Sequence, residues 1–270
     1  MGLRAPGAAG RVAGLPGVQP HRLPGSALHA GNHGGGRGQS PGCGAGRKGG
    51  EVRPPSIAAV SDALEACYGK PRPHGKRPLL DVLVQTILSQ NTSDANSLRA
   101  YASLKRAFPS WSGLAAADVR KVAAAIRQGG LANVKSRRIV RIIRELERLH
   151  GRPTLEHLRR MDREAAYQAL KAMDGIGPKT AACTLLFGSG IPVFPVDTHI
   201  HRVGARLGWA RTGETREKFQ ERIRRLVPDG LVHPLHLNII EHGRRVCRPE
   251  NPRCPACCLK PLCPYRKGKP

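Results

Sequence analysis

From Ser56 onward apolar residues recur at intervals of three and four, and no stretch sustains the period-two alternation of a half-buried strand, so the pattern predicts an all-α chain. Ile57, Val60, Leu64 and Cys67 form the first amphipathic face. Leu79 to Leu88 is apolar almost throughout, which predicts a helix buried on all sides. It runs into LSQNTSD at residues 88–94, a helix break with Ser93 or Asp94 capping the next helix. Further helices are expected at about 96–108, 118–127 and 134–149, and two more at about 214–227 and 233–243.

The pattern is most informative between Leu170 and Trp209. Leu170 and Met173 end one amphipathic run, Gly175 and Gly177 supply a turn that needs positive φ, and Pro178 suits the first position of a new helix. Lys179 then falls in the first turn of that helix. Exposed amides of such a turn and of a helix N-terminus form an anion site able to hold a backbone phosphate. The helix dipole, nearby cations and desolvation favour the neutral, nucleophilic amine of a lysine placed there. Phe194-Pro195-Val196 reads as an extended lead into Asp197, the N-cap of a run carrying Ile200, Val203 and Leu207. Taken singly, such a lysine is a solvated charge and such an aspartate is a cap; their combination gives them chemical meaning.

Charge narrows the partners. The 270-residue chain has a formal charge of +26, which points to a polyanion, nucleic acid first and an anionic membrane surface second. No stretch is apolar enough to span a bilayer, and with 4% aromatics a base-stacking platform is not supported. Residues 1–55 hold 16 of the 32 glycines, with six arginines and Lys48 against the single acid Glu51, and read as a disordered basic tail. A DNA tether, an organelle-targeting segment and a misplaced translation start are the three explanations. Targeting ranks last, for want of an amphipathic Ser-rich or apolar leader.

Cys247, Cys254, Cys257 and Cys263 stand in a C-x6-C-x2-C-x5-C array, too dense and too rich in Pro and Arg for core cysteines, and read as a metal site. Spacing alone leaves zinc and an iron-sulfur cluster open. Cys258, Cys43, Cys67 and Cys183 fall outside the set. Arg248 and Arg253 place positive charge on the same loop, where it could grip phosphate.

GIGPKTA, the aspartate of VDTHI eighteen positions beyond its lysine, and this cysteine spacing, in this order, resemble the endonuclease III family of helix-hairpin-helix DNA glycosylases. The resemblance covers residues 56–267 and implies an all-α, two-lobed fold. A six-helix lobe would span 79–191, and a cluster lobe would join 56–78 to 192–270, with the cluster loop at 247–263. It implies Lys179 as nucleophile and Asp197 as its partner, and a 4Fe-4S cluster on Cys247, Cys254, Cys257 and Cys263. Asn91, beside Gln90, would fill the gap left by an extruded base, Leu131 would intercalate, and Gly175 and Gly177 would hold the DNA backbone. Lys135, Arg137 and Arg138 read as phosphate contacts or a solvated basic face, and His199 as an orienting or structural group. The implied activity is a bifunctional glycosylase and AP lyase acting as a monomer, away from membranes, on double-stranded DNA with damaged bases or abasic sites. Oxidised pyrimidines lead as substrate. A monofunctional uracil or thymine mismatch glycosylase and a non-catalytic damage-binding protein are the alternatives. The implied location is the cytoplasm and nucleoid in a bacterium, the nucleus or an organelle in a eukaryote.

Overall fold

The apolar run from Leu79 to Ser89 forms helix α2, nine of whose eleven residues are buried. Its N-cap is Pro78, which has no capping side chain, so the donor at Leu79 is satisfied from afar: its amide donates to Glu156 Oε1 at 2.8 Å. Arg159 braces the same corner, donating to the carbonyls of Arg77 at 2.6 Å and Gly188 at 3.0 Å. The computed structural model describes residues 53–73 and 75–267, and among these no strand occurs.

In order the helices are α1 (Ile57–Tyr68), α2 (Leu79–Ser89), α3 (Asp94–Ala107), α4 (Trp111–Ala115), α5 (Val119–Ala125), α6 (Ala132–His150), α7 (Arg163–Ala172), α8 (Pro178–Ser189), α9 (Thr198–Arg206), α10 (Arg216–Ile223), α11 (Asp229–Arg245) and α12 (Pro264–Lys267). Short 3-10 turns at Arg127–Gly129, Glu156–Arg160 and Cys254–Ala256 bridge them. Ser93 is the residue that caps α3, accepting from Asn96 N at 3.2 Å. Helix α4 was not expected: five residues are too few to display a period, and Ser110 starts it by accepting from Gly113 N at 3.1 Å. Helix α11 begins earlier than its pattern suggested and carries Pro234 within it.

Two hydrophobic cores result. One gathers α2 to α8 around Leu83, Ile87, Leu104, Ile139, Tyr167 and Leu185. The other joins α1 to α9, α10 and α11 around Leu64, Phe194, Ile200, Phe219 and Leu235. Of the expected tail, residues 1–52 lie outside the described residues. Its last two residues do not behave as tail: Pro55 O accepts from Trp209 Nε1 at 2.8 Å, and Pro54 packs on Gly208.

A charged knot joins the cores between α7 and α10. Arg224, 8% exposed, forks onto Glu164 at 2.6 and 3.0 Å, reaches Glu221 at 2.9 Å, and lies over the Tyr167 ring at 4.4 Å. Hydrogen bonds from Arg224 and then Gln168 hold the Glu164 carboxyl down at about 2, against an ordinary 4.5. A depressed carboxylate contributes stability above its unfolded value and loses it as pH falls through the folded one. Glu164 is half exposed, so screening limits its ion pair to about 1 kcal/mol. Glu164→Gln should therefore lower Tm by about 2–4 °C at pH 7. In thermal melts across pH, the gap to wild type should close as pH falls from 4.5 towards about 2; a gap independent of pH would show that the Glu164 charge contributes nothing.

Candidate active site

Helix α7 ends at Ala172, and the chain turns through Gly175 at φ +79 before α8 begins at Pro178. Gly175 is required twice over. An L residue is strained at that φ, and a Cβ there would lie 2.7 Å from Arg138 Nε. Gly177 differs from expectation: it is extended, at φ −82 and ψ 170, and serves as N-cap of α8, so only one glycine of the pair needs the left-handed region. Ile176 between them is buried, and its amide donates to Met173 O at 3.0 Å, fastening the turn to the core.

Lys179 is the second residue of α8 and half buried. Asp197 is the N-cap of α9, accepting from Ile200 N at 2.8 Å as its sequence position implied. Both line one cleft of about 540 Å³ between the two cores, along with residues of α2, α8, α10 and α11. The backbone leading to Asp197 is held from both sides. Val196 N donates to Gln220 Oε1 at 2.9 Å, and His236 Nδ1 meets Pro195 O at 3.1 Å. A carbonyl only accepts, so Nδ1 carries the proton and Nε2 is left as an acceptor. Burial pushes His236 down to about 4, keeping the ring neutral among Phe187 and Phe194.

Cys183, set aside on sequence grounds, lies one turn below Lys179 in the same cleft. Burial raises its thiol, and the charge and hydrogen bond of Lys179 oppose that rise. The i,i+4 spacing of 179 and 183 was a readable signal. His236 and Gln220 gave none, because their partners are 41 and 24 residues away. His199 lines the cleft too, its Nδ1 facing Arg202 Nη2 at 3.1 Å, and burial lowers its pKa. Across the rim Arg244 of α11 meets Asp94 of α3 at 3.2 Å.

Gln90 and Asn91 part company at the end of α2. Gln90 is fixed, its Nε2 donating to Thr180 Oγ1 at 3.1 Å while its Oε1 accepts from Arg138 Nη1 at 3.0 Å. Asn91 is exposed and left-handed, at φ +52. Leu131 is likewise left-handed, at φ +50, and 55% exposed. Such backbone is strained for a leucine. Lys135 corrects the sequence reading: it is 2% exposed and faces no solvent. Arg138 is turned inward onto Gln90 and Gly175, whereas Arg137 is exposed.

The cysteine loop follows α11. Cys247, Cys257 and Cys263 pack on the second core with Cys258, and none of the described cysteines is in a disulfide. Arg206 Nη1 approaches Cys247 Sγ at 3.2 Å, and Arg206 O lies 3.7 Å from Cys263 Sγ. Cys257 is pushed up to about 11 by burial and then by Cys247, Cys263 and Cys254, so this thiol feels the other three. Cys258 is turned instead towards Cys67 on α1. Among the described residues no three His, Cys, Asp or Glu are disposed around a single metal ion. Four soft thiol donors on one loop, with a guanidinium alongside, are a donor set that suits either zinc or an iron-sulfur group. Arg253 is exposed, while Arg248 curls back to Asn251 O at 3.4 Å with its Nε shut away from solvent.

Comparison with known proteins places this arrangement. Endonuclease III of Thermotoga maritima is 35% identical over 201 residues, 74% of this chain and 90% of that protein. An Arabidopsis thaliana protein with a provisional DNA glycosylase name is 40% identical over 192 residues, 70% of this chain and 66%, just under two thirds, of its own length. The fold matches a non-covalent endonuclease III–DNA complex at a TM-score of 0.65 and 24% identity, over 78% of this chain and 95% of that one. It matches a trapped covalent endonuclease III–DNA intermediate at a TM-score of 0.66 and 24% identity, with the same shares covered. Residues 84–229, which contain both Lys179 and Asp197, match the family described as HhH-GPD superfamily base excision DNA repair protein, and the chain belongs to that family.

Proposed function

We propose that the chain is a base-excision DNA glycosylase with AP lyase activity. The observation that carries this reading is the meeting of Lys179 and Asp197 in one cleft beside the hairpin. The target C1′ is out of reach in a stacked duplex, so the nucleotide is first extruded into the cleft. Asn91 and Leu131 are the exposed tips that take its place in the stack. The hairpin amides around Gly175 and Gly177 hold a backbone phosphate, and Arg253 adds positive charge from the cysteine loop.

Lys179 Nζ attacks C1′ as the glycosidic bond breaks, and the base leaves with a proton. The sugar ring opens to a Schiff base on Nζ, loss of a C2′ proton expels the 3′ phosphate, and hydrolysis frees the lysine. Asp197 takes the amine proton and stabilises the positive charge that develops on the sugar. The substrate is duplex DNA carrying an oxidised pyrimidine or an abasic site, handled by a monomer. No helix of the described residues is long and apolar enough to cross a membrane.

Cys247, Cys254, Cys257 and Cys263 would hold a 4Fe-4S cluster, which when bound supplies a cross-link that orders the loop. The chain's part is to place Arg206 against Cys247, where a guanidinium offsets thiolate charge, and to carry Arg253 outward.

Lys179→Ala should give no borohydride-trapped adduct and no strand cutting on a thymine glycol duplex while still binding DNA; cutting at the wild-type rate would end the proposal in favour of a damage-binding or different catalytic role. Asp197→Asn keeps an oxygen for the α9 cap, so it should melt near wild type yet lose about 10²-fold or more in single-turnover rate. A loss under about tenfold would reduce Asp197 to a cap. Cys257→Ser should remove the visible absorbance of the purified protein together with its affinity for undamaged duplex. Colour that persists in this variant would exclude Cys257 as a ligand, and a colourless, zinc-loaded wild type would replace the cluster with zinc.

A further inference from the structure

Lys135 is a buried ammonium that, among the described residues, enters no ion pair. Its Nζ donates to Leu88 O at 2.7 Å and to Gly129 O at 2.7 Å. Burying a cation is costly, and desolvation lowers its pKa. The two carbonyls indicate what that cost secures. Leu88 is the penultimate residue of α2, so its carbonyl has no amide partner within the helix and sits at the negative end of the helix dipole. Gly129 closes the 3-10 turn that precedes Leu131. Shortly after each carbonyl the chain reaches an exposed, left-handed residue, Asn91 on one loop and Leu131 on the other. The roots of these loops are in close apposition: a Cβ on Gly129 would lie 3.0 Å from Ala100 Cβ and 3.9 Å from Leu88 O. One turn further along α6, Arg138 holds Gln90, which holds Thr180 beside the nucleophile.

We infer that Lys135 is a positioning residue for base extrusion, a bracket that fixes the separation of Asn91 and Leu131 so that both enter the duplex together, in register with Lys179. The inference rests on the proposed insertion of those two residues. Its chemical basis is that a tetrahedral ammonium can donate to two carbonyls at once from one buried point. A neutral side chain there leaves both loop roots unpaired and independent.

The experiment compares borohydride trapping rates at saturating protein on two probes: a thymine glycol duplex, which must be opened, and a single-stranded abasic oligonucleotide, which has no stack to open. Lys135→Met should lose about tenfold or more on the duplex and stay within about twofold of wild type on the single strand. In a Leu131→Ala background the same change should cost little more, because the tip it positions is gone. Equal losses on both probes, or a loss that adds fully to that of Leu131→Ala, would overturn the inference and leave Lys135 as a support of the fold. Should Lys135→Met not fold, Gly129→Ala pushes the same root with the lysine intact; it must give the same duplex-selective loss, and equal losses would again overturn the bracket. Wild-type protein that traps neither probe would bring down the lyase reading and this inference with it. Trapping by wild type with Leu131→Ala and Asn91→Ala both unimpaired on the duplex would refute the insertion while leaving the lyase standing.

Discussion

Helix α8 is packed into both hydrophobic cores at once, and its aim governs the site. Ala181, Ala182 and Leu185 belong to the first core, while Leu186 and Phe187 face the second. Eight of its twelve residues are buried, so it has almost no free face on which to rotate. Close approach to α2 depends on Gly188, where a Cβ would fall 2.7 Å from Leu79 Cδ2. A helix fixed on so many sides delivers its N-terminus to one place. That N-terminus carries the Gly177–Pro178 cap and Lys179, so the lysine inherits its position in the cleft from interior packing.

Helix α9 performs the complementary task for Asp197. Its first turn is capped by Asp197, and its later turns grip the cysteine loop. Arg202 Nε donates to Cys247 O at 2.9 Å, while Arg206 donates to Arg248 O at 2.8 Å and Pro249 O at 2.9 Å. The loop after α11 and the aspartate in the cleft are thus opposite ends of one nine-residue rod. Ordering the loop therefore steadies α9 from its C-terminal end. The distant cysteines and the cleft are thus linked along α9, through backbone carbonyls of the loop and the contact of Arg206 Nη1 with Cys247 Sγ.

Local chemistry was legible in the sequence wherever it is decided locally. Gly175, Pro178, the lysine after it and the Asp197 cap each follow from a few neighbouring residues, and the structure has them as the pattern implied. Gly177 misled because glycine is compatible with positive φ without demanding it. Lys135 was misread as a surface cation because its burial depends on a carbonyl 47 residues earlier, which no periodicity encodes. His236 and Gln220 are similar cases: both fix the backbone before Asp197 from helices that meet it only in three dimensions. Arg248 and Arg253 look alike in composition, yet the left-handed turn at Asn251 folds one inward and leaves the other outside.

The floor of the cleft explains why those hidden residues matter. His236 and Cys183 both line the cleft with Lys179 and Asp197, and burial drives the two in opposite directions on the pH scale, the imidazole down and the thiol up. The consequence is the same for each: near neutral pH both are uncharged. A charged group at either position would act on the lysine and the aspartate that line the same cleft. Two neutral groups instead add no charge of their own to the cleft that Lys179 and Asp197 share. The floor is therefore tuned by desolvation, a property of the packed helices that cannot be assigned to any one residue.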